Sequence, residues 1–221
     1  MRIFLASARL EDIHWAWENG LVDGVLTSDA ELRHAALDGD GEARLRDLTK
    51  ATTLPVCTTV RAIRADDIYT DARDLARLSD RLIVQIPFFE EALSTIRRLS
   101  AEGVRVAATF VFTAAQALLA AKAGALGVHV PIDTLDGQGL DGVPVLAEIS
   151  SVFDLHGIEC DVVAIRPHNS ASFTACAMNG ADVVAVTTDV LRGLLVHPLT
   201  DRALDGFLAD LGSRPRVPVA P

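Results

Sequence analysis

The sequence has few of the residues that crosslink a protein or anchor it in a membrane. Its three cysteines, Cys57, Cys160 and Cys176, are an odd number and lack the C-x-x-C spacing of zinc and redox sites. No apolar run reaches the ~18 residues that a membrane-spanning helix needs, and the apolar start at residues 1–5 is too short for a signal peptide. We therefore expect a reduced, cytoplasmic protein with no targeting segment.

Positive charge is also scarce. The chain has 20 Lys and Arg against 30 Asp and Glu, a formal net charge of -10, and its only lysines are Lys50 and Lys122. Such a balance does not attract phosphate backbones or anionic lipid surfaces, so we expect no nucleic-acid and no membrane partner. The dinucleotide fingerprint G-x-G-x-x-G does not follow the first predicted strand, and no cofactor is expected. A small-molecule substrate is the expected partner.

Short β-branched apolar runs alternate along the chain with stretches of helical period. Strands are predicted at 3–7, 24–27, 56–60, 82–86, 104–111, 125–130, 161–165 and 182–187. Helices are predicted at 10–19, 30–48, 66–78, 89–102, 114–123, 143–156, 170–179 and 189–195. Near-continuous apolar strands are typical of parallel sheets covered on both faces, and eight such pairs predict a (β/α)8 TIM barrel. A doubly wound open sheet is the alternative.

A single domain is expected over residues 1–211. It includes an extra C-terminal helix at 200–211, which places Leu204, Phe207, Leu208 and Leu211 on one face. The glycine-dense stretch 136–142 is interpreted as a loop, and the three prolines of 212–221 predict an extended tail.

The carboxyl ends of the strands are where a barrel of this kind holds its chemistry. The candidate site residues there are Ser28, Thr59, Gln85, Thr109, His129, Asp133, Arg166, His168 and Asn169. Arg166 requires either an acidic partner such as Asp133 or an anionic ligand. Histidine titrates near neutral pH, so His129 and His168 are candidates for proton transfer. No H-x-H spacing accompanies them, and no metal site is expected.

Several motifs resemble the small aldolases of the transaldolase family, of the fructose-6-phosphate aldolase type. The motifs are Phe4-Leu5-x-Ser7, Gly24-Val25-x-Thr27, Leu82-Ile-Val-Gln-Ile-Pro87 and Ala114-Ala-Gln-Ala-Leu-Leu119. The resemblance implies a barrel enzyme of carbohydrate metabolism, of lyase or transferase type. It also implies a ring-shaped homo-oligomer, a pentamer or decamer, and a lysine on the fourth strand that forms a Schiff base with a ketone.

The position of that lysine is taken by Gln85 in this sequence. An amide nitrogen cannot form an imine, because its lone pair is delocalised. Lys50 is expected in a loop after the second helix and Lys122 on the helix after the fifth strand, so neither is placed to replace the missing lysine. Thr109 keeps a family hydroxyl, whereas further positions depart from the family pattern: Ala6, Ser28, Thr59, Pro131, Arg166 and His168.

The sequence therefore predicts an enzyme that has lost Schiff-base chemistry and acts on a carbonyl-containing or anionic small molecule by non-covalent acid/base catalysis. In this hypothesis Gln85 and Thr109 orient the carbonyl, and His129 or His168 moves the proton. The expected substrate-binding residues are Ser28, Thr59, Asp133, Arg166 and Asn169. The alternative is a catalytically inactive, transaldolase-like binding or scaffold protein. An aldolase with a displaced lysine is a third possibility, which the positions of Lys50 and Lys122 argue against.

Overall fold

A computed structural model describes residues 1–36 and 39–213. Within these ranges eight parallel strands form a closed barrel in chain order. The strands are β1 Arg2–Ala6, β2 Gly24–Leu26, β3 Val56–Thr59, β4 Leu82–Pro87, β5 Val106–Thr109, β6 Gly127–Pro131, β7 Asp161–Ile165 and β8 Val183–Thr187. The helices are α1 Leu10–Glu18, α2 Asp29–Ala35, α3 Gly41–Ala51, α4 Ala65–Ala76, α5 Glu90–Ala101, α6 Ala114–Lys122, α7 Ile132–Gly137, α8 Gly142–His156, α9 Ser170–Met178, α10 Thr188–Leu194 and α11 Pro198–Ser213.

The barrel closes through the pairing of its first and last strands. Residues Arg2 to Ala6 of β1 pair in register with Val183 to Thr187 of β8. Each other strand pairs with its neighbour in the sequence, as right-handed βα units require. The predicted (β/α)8 TIM barrel is confirmed, and the open-sheet alternative is wrong.

Strand residues alternate between two apolar layers because successive side chains point to opposite faces. The larger layer fills the space between the strands and the helices. The smaller one fills the barrel interior and includes Phe4, Leu26, Ile83, Val163 and Val183. Gln85 and His129 lie two residues beyond inward-facing positions of β4 and β6, so their polar side chains enter the same interior.

The single helix predicted at 30–48 is wrong, because two helices, α2 and α3, occupy this stretch. The carboxylate of Asp40 caps α3 by accepting from the backbone N–H groups of Glu42 and Ala43, each at 3.0 Å. Gly39, just before it, has φ +76°, which favours glycine. Residues 37 and 38 lie outside the described ranges. Lys50 consequently lies in the last turn of α3 rather than in a loop.

The predicted loop at 136–142 begins inside a helix, since α7 continues to Gly137. At the other end of the chain, α11 is longer than the predicted helix at 200–211. Its residues 198–211 are all exposed, and Leu204, Phe207, Leu208 and Leu211 are between 46% and 61% exposed. Most of the stretch predicted as an extended tail lies outside the described residues. No helix in the described ranges is both long and apolar enough to cross a membrane.

Candidate functional site

The candidate site lies at the carboxyl mouth of the barrel, where the parallel strands end side by side. Below the mouth, Gln85 and His129 lie in the barrel interior at the middle of β4 and β6, and Thr109 ends β5; all three residues are at least nine-tenths buried. Arg166 follows β7 directly, and Ser28 stands between β2 and α2. The fold thus gathers three strand-end residues above two interior residues of the barrel.

Gln85 is fixed in orientation by two hydrogen bonds. Its Nε2 donates to the carbonyl oxygen of Thr27 at 3.0 Å, which identifies the amide nitrogen because a carbonyl can only accept. Its Oε1 then faces Nδ1 of His129, also at 3.0 Å. The small side chain of Ala107, on the strand between, leaves room for this contact. One N–H of the amide is not used by these two bonds.

His129 is a neutral hydrogen-bond donor. Since the amide oxygen of Gln85 can only accept, Nδ1 of His129 must carry the proton. The ring is 2% exposed, and burial lowers the pKa of His129 from 6.5 to about 4. At neutral pH the imidazole therefore holds Gln85 in place and carries no charge. This assigns His129 an orienting contact, whereas the sequence suggested proton transfer.

We expect the burial of His129 to make the protein less stable in mild acid. The unfolded chain binds a proton at this residue below pH 6.5 and the folded chain only near pH 4, so stability falls as the pH drops between these values. The loss amounts to about 2.5 kcal/mol between pH 7 and pH 4.5. Urea unfolding of wild type and His129→Asn at both pH values measures it.

In this experiment the asparagine amide can still donate to Gln85 but does not titrate. The loss of unfolding free energy between pH 7 and pH 4.5 should therefore be smaller in His129→Asn than in wild type, by about 2.5 kcal/mol. His14→Asn, at an exposed position of α1, is the matched control and should behave as wild type. An equal pH dependence in wild type and His129→Asn would contradict the assignment.

Arg166 bridges the mouth of the barrel. Its Nη2 donates to Oε1 of Glu31, which lies in the first turn of α2. β8 and β1 lie between β7 and β2 in the barrel, so this contact joins two strands that are not neighbours. Glu31 also accepts from the backbone N–H of Ser28 at 2.9 Å. The pairing of Arg166 with Asp133 is wrong: the acid that the structure provides is Glu31.

Two further features mark Arg166. Its φ is +54°, a left-handed conformation that costs a residue with a side chain about 1–2 kcal/mol. Its Nε is buried and has no hydrogen-bond partner among the described residues. Phe110, directly after β5, has φ +59° and is 52% exposed. Strained backbone of this kind is concentrated at functional sites.

The other predicted site residues mostly have structural contacts. Asn169 caps α9 by accepting from the N–H of Ser172, and Ser28 caps α2. Asp133 accepts from the backbone N–H of Thr134 at 2.7 Å. Thr59 accepts from the backbone N–H of Asp29 at 3.1 Å. These side chains have less capacity for a substrate than the sequence suggested.

His168 and Thr109 keep more freedom. Nε2 of His168 lies 3.5 Å from the carboxylate of Asp136, and its side chain is 51% exposed. The hydroxyl of Thr109 has no hydrogen-bond partner in the described part of the chain, although the residue is only 7% exposed. An exposed imidazole beside a carboxylate is suited to proton transfer.

Sequence reasoning missed three acids at the mouth. Glu31 was detectable as the fourth residue of a Ser-x-x-Glu capping box, but not as the partner of Arg166. Asp136 pairs with His168, and Asp12 accepts from the hydroxyls of Ser7 and Thr188. No local pattern in the sequence signals the contacts of these last two residues.

Both lysines lie far from the barrel interior, exposed on α3 and α6. In the described ranges, no three His, Cys, Asp or Glu side chains are grouped so that they could hold a metal ion.

Comparison with known proteins gives a consistent picture. The model of the family "Transaldolase/Fructose-6-phosphate aldolase" matches residues 31–213. A "Probable transaldolase 1" of Bacillus cereus is 33% identical over 210 residues, 95% of this chain and 97% of that protein. A "Probable transaldolase" of Desulfitobacterium hafniense is 37% identical over 211 residues, 95% and 98% of the two chains.

A solved structure that matches supports the fold alone. The structure of FabK from Thermotoga maritima superposes with a TM-score of 0.55 at 16% sequence identity. The alignment covers 84% of this chain and 57% of that one.

Proposed function

Because the chain belongs to the transaldolase/fructose-6-phosphate aldolase family, we propose that it is a barrel enzyme that acts without a Schiff base on a carbonyl-containing or anionic small molecule. A small sugar phosphate is the substrate class that the family suggests. The proposal rests on one observation: an amide, Gln85, is locked in the barrel interior by Thr27 and His129.

Gln85 supplies a hydrogen-bond donor where the family resemblance implies an imine-forming lysine. An amide cannot form the covalent intermediate, but its second N–H can donate to a carbonyl oxygen and stabilise the negative charge that develops there. The hydroxyl of Thr109, on the next strand, is a second donor of this kind. Preorganised donors cost no reorganisation during the reaction.

Arg166 and His168 complete the proposed site. The guanidinium of Arg166 is the anchor for the substrate's anionic group, which would also satisfy its buried Nε. His168, half-exposed beside Asp136, takes the proton-transfer role, because the pKa of His129 is too low for a base at neutral pH. The remaining predicted residues mainly stabilise the loops of the mouth through hydrogen bonds to backbone N–H groups; they are Ser28, Thr59, Asp133 and Asn169.

A catalytically inactive binding protein is the second candidate, and one observation favours it. Both ends of the Gln85 amide already have partners within the protein, as expected of a side chain that only fills the interior. The two candidates differ in whether a bound ketone exchanges the hydrogen on the carbon next to its carbonyl.

We expect no covalent adduct when the protein is incubated with dihydroxyacetone or fructose 6-phosphate and borohydride, because no lysine lies in the barrel interior. Intact mass spectrometry measures this. Gln85→Lys is the matched positive control, since a lysine at this buried position can form the imine that borohydride reduces. A stoichiometric adduct on Lys50 or Lys122 of the wild type would contradict the mechanism.

The same ketones in D2O separate the enzyme from the inactive protein. The proposed enzyme exchanges the hydrogen next to the carbonyl for deuterium, and Gln85→Ala slows this exchange at least about 100-fold, the usual cost of removing one such donor. Proton NMR follows the loss of the C–H signal. Binding without exchange would favour the inactive protein.

A further inference from the structure

A surface cavity of about 410 Å³ lies beside the barrel mouth. It is enclosed by the loop after β1, by α2 and by the first turn of α3, which contributes Arg44. Apart from Glu31, the partner of Arg166, no residue of this cavity takes part in the proposed function. The cavity adjoins the mouth at Ala6, the last residue of β1, but its lining residues other than Ala6 and Glu31 lie outside the proposed site.

Arg44 is the cation that distinguishes this cavity. Its Nε donates to the carbonyl oxygen of Ala8 at 2.9 Å, which holds the guanidinium at the cavity wall. Among residues 1–36 and 39–213, no carboxylate forms an ion pair with Arg44. Other arginines of α2 and α3 are paired within their own helix, Arg33 with Asp29 and Arg46 with Glu42. The terminal nitrogens of Arg44 thus remain available as donors.

The acids that line the cavity are engaged elsewhere. Glu11 accepts from Arg9 at 2.9 Å, and Glu31 is the partner of Arg166. Neither carboxylate offsets the charge of Arg44. His34, exposed on α2, adds a further ring nitrogen to the cavity wall. The cavity therefore presents cationic and polar donors without a free carboxylate.

We infer that this cavity binds a phosphate group through Arg44, independently of the proposed reaction. The planar guanidinium presents two terminal nitrogens that match two oxygens of a phosphate. The volume exceeds that of a phosphate ion, which leaves room for the few carbon atoms of a small phosphate monoester. His34 flanks the group as a secondary donor.

Isothermal titration calorimetry with inorganic phosphate tests the site. Wild type should bind phosphate saturably, and Arg44→Met should bind it at least about tenfold more weakly. Arg46→Met is the matched control, because it makes the same change two residues further along the exposed surface of α3, and it should bind as wild type. Tighter binding of glycerol 3-phosphate than of inorganic phosphate would identify the ligand as an ester; equal affinity would identify the free ion.

Residue-specific labelling decides the site without any variant. Phenylglyoxal modifies arginine, and peptide mass spectrometry of the wild type should show that phosphate slows the labelling of Arg44 but not of Arg46. Equal affinity of wild type and Arg44→Met, no binding by wild type, or no protection of Arg44 would overturn the inference. Protection of Arg166 without Arg44 would also overturn it, and would leave the proposed function standing.

Discussion

We expect the full chain to form a ring-shaped homo-oligomer, and a chain that ends at Leu199 to be monomeric or to precipitate. The reason is α11, whose apolar side chains Leu204, Phe207, Leu208 and Leu211 lie on one face and are all exposed on the isolated chain. Burying each of them against a neighbour contributes about 2 kcal/mol, so the helix is suited to hold subunits together. Light scattering after size-exclusion chromatography measures the mass, against 23.6 kDa for one subunit.

A single substitution tests the apolar face of α11 without removing the helix. Phe207→Glu places a charge in the apolar face and should dissociate the assembly. Ala209→Glu introduces the same residue on the opposite face of α11 and should leave it intact. A soluble monomer for the full chain would contradict the oligomer.

Arg166→Met and Glu31→Gln are expected to change the affinity for fructose 6-phosphate in opposite directions. Loss of the guanidinium removes a charge-assisted hydrogen bond and weakens binding about 10- to 100-fold. Glu31→Gln removes the competing charge, keeps an oxygen for the N–H of Ser28, and strengthens binding about two- to fivefold. Calorimetry measures both.

The competing account is that Arg166 and Glu31 are only a structural pair. In that case both variants melt at a lower temperature and neither changes the affinity. The pair is partly exposed, with 37% and 28% of the two side chains accessible, so we expect little change in melting temperature from either substitution. Arg2→Met, which breaks a comparably exposed arginine–carboxylate pair with Asp161 at the amino end of the barrel, controls for general effects of charge.

The fold could be predicted because its signal repeats eight times along the chain. Each strand is a short apolar run, and an error in one boundary does not change the count. The exception is instructive: α2 and α3 were merged because apolar residues continue at helical spacing from Leu32 to Leu48. The capping residue Asp40 and the glycine before it already indicated the break, and they outweigh periodicity because they fix the backbone.

The candidate site was predictable only as an inventory of strand-end residues. Which of them touch depends on how loops cross the mouth, and the contact between Arg166 and Glu31 joins residues 135 positions apart. The role of His129 could have been anticipated. Gly127, His129 and Pro131 are every second residue of β6, so their side chains share the face that points into the barrel. Burial favours the neutral form of a histidine on the inner face of a strand, so such a residue is poorly suited to accept a proton at neutral pH.

The neutrality of Gln85 and His129 determines which end of a ligand can enter the barrel first. Gln85 is an amide and His129 an uncharged imidazole, so neither side chain compensates a phosphate or carboxylate that leaves water beside them. The cation at the mouth, Arg166, stands at the rim. We therefore expect an anionic ketone to dock with its carbonyl pointing down the barrel axis and its charged end outward, beside Arg166.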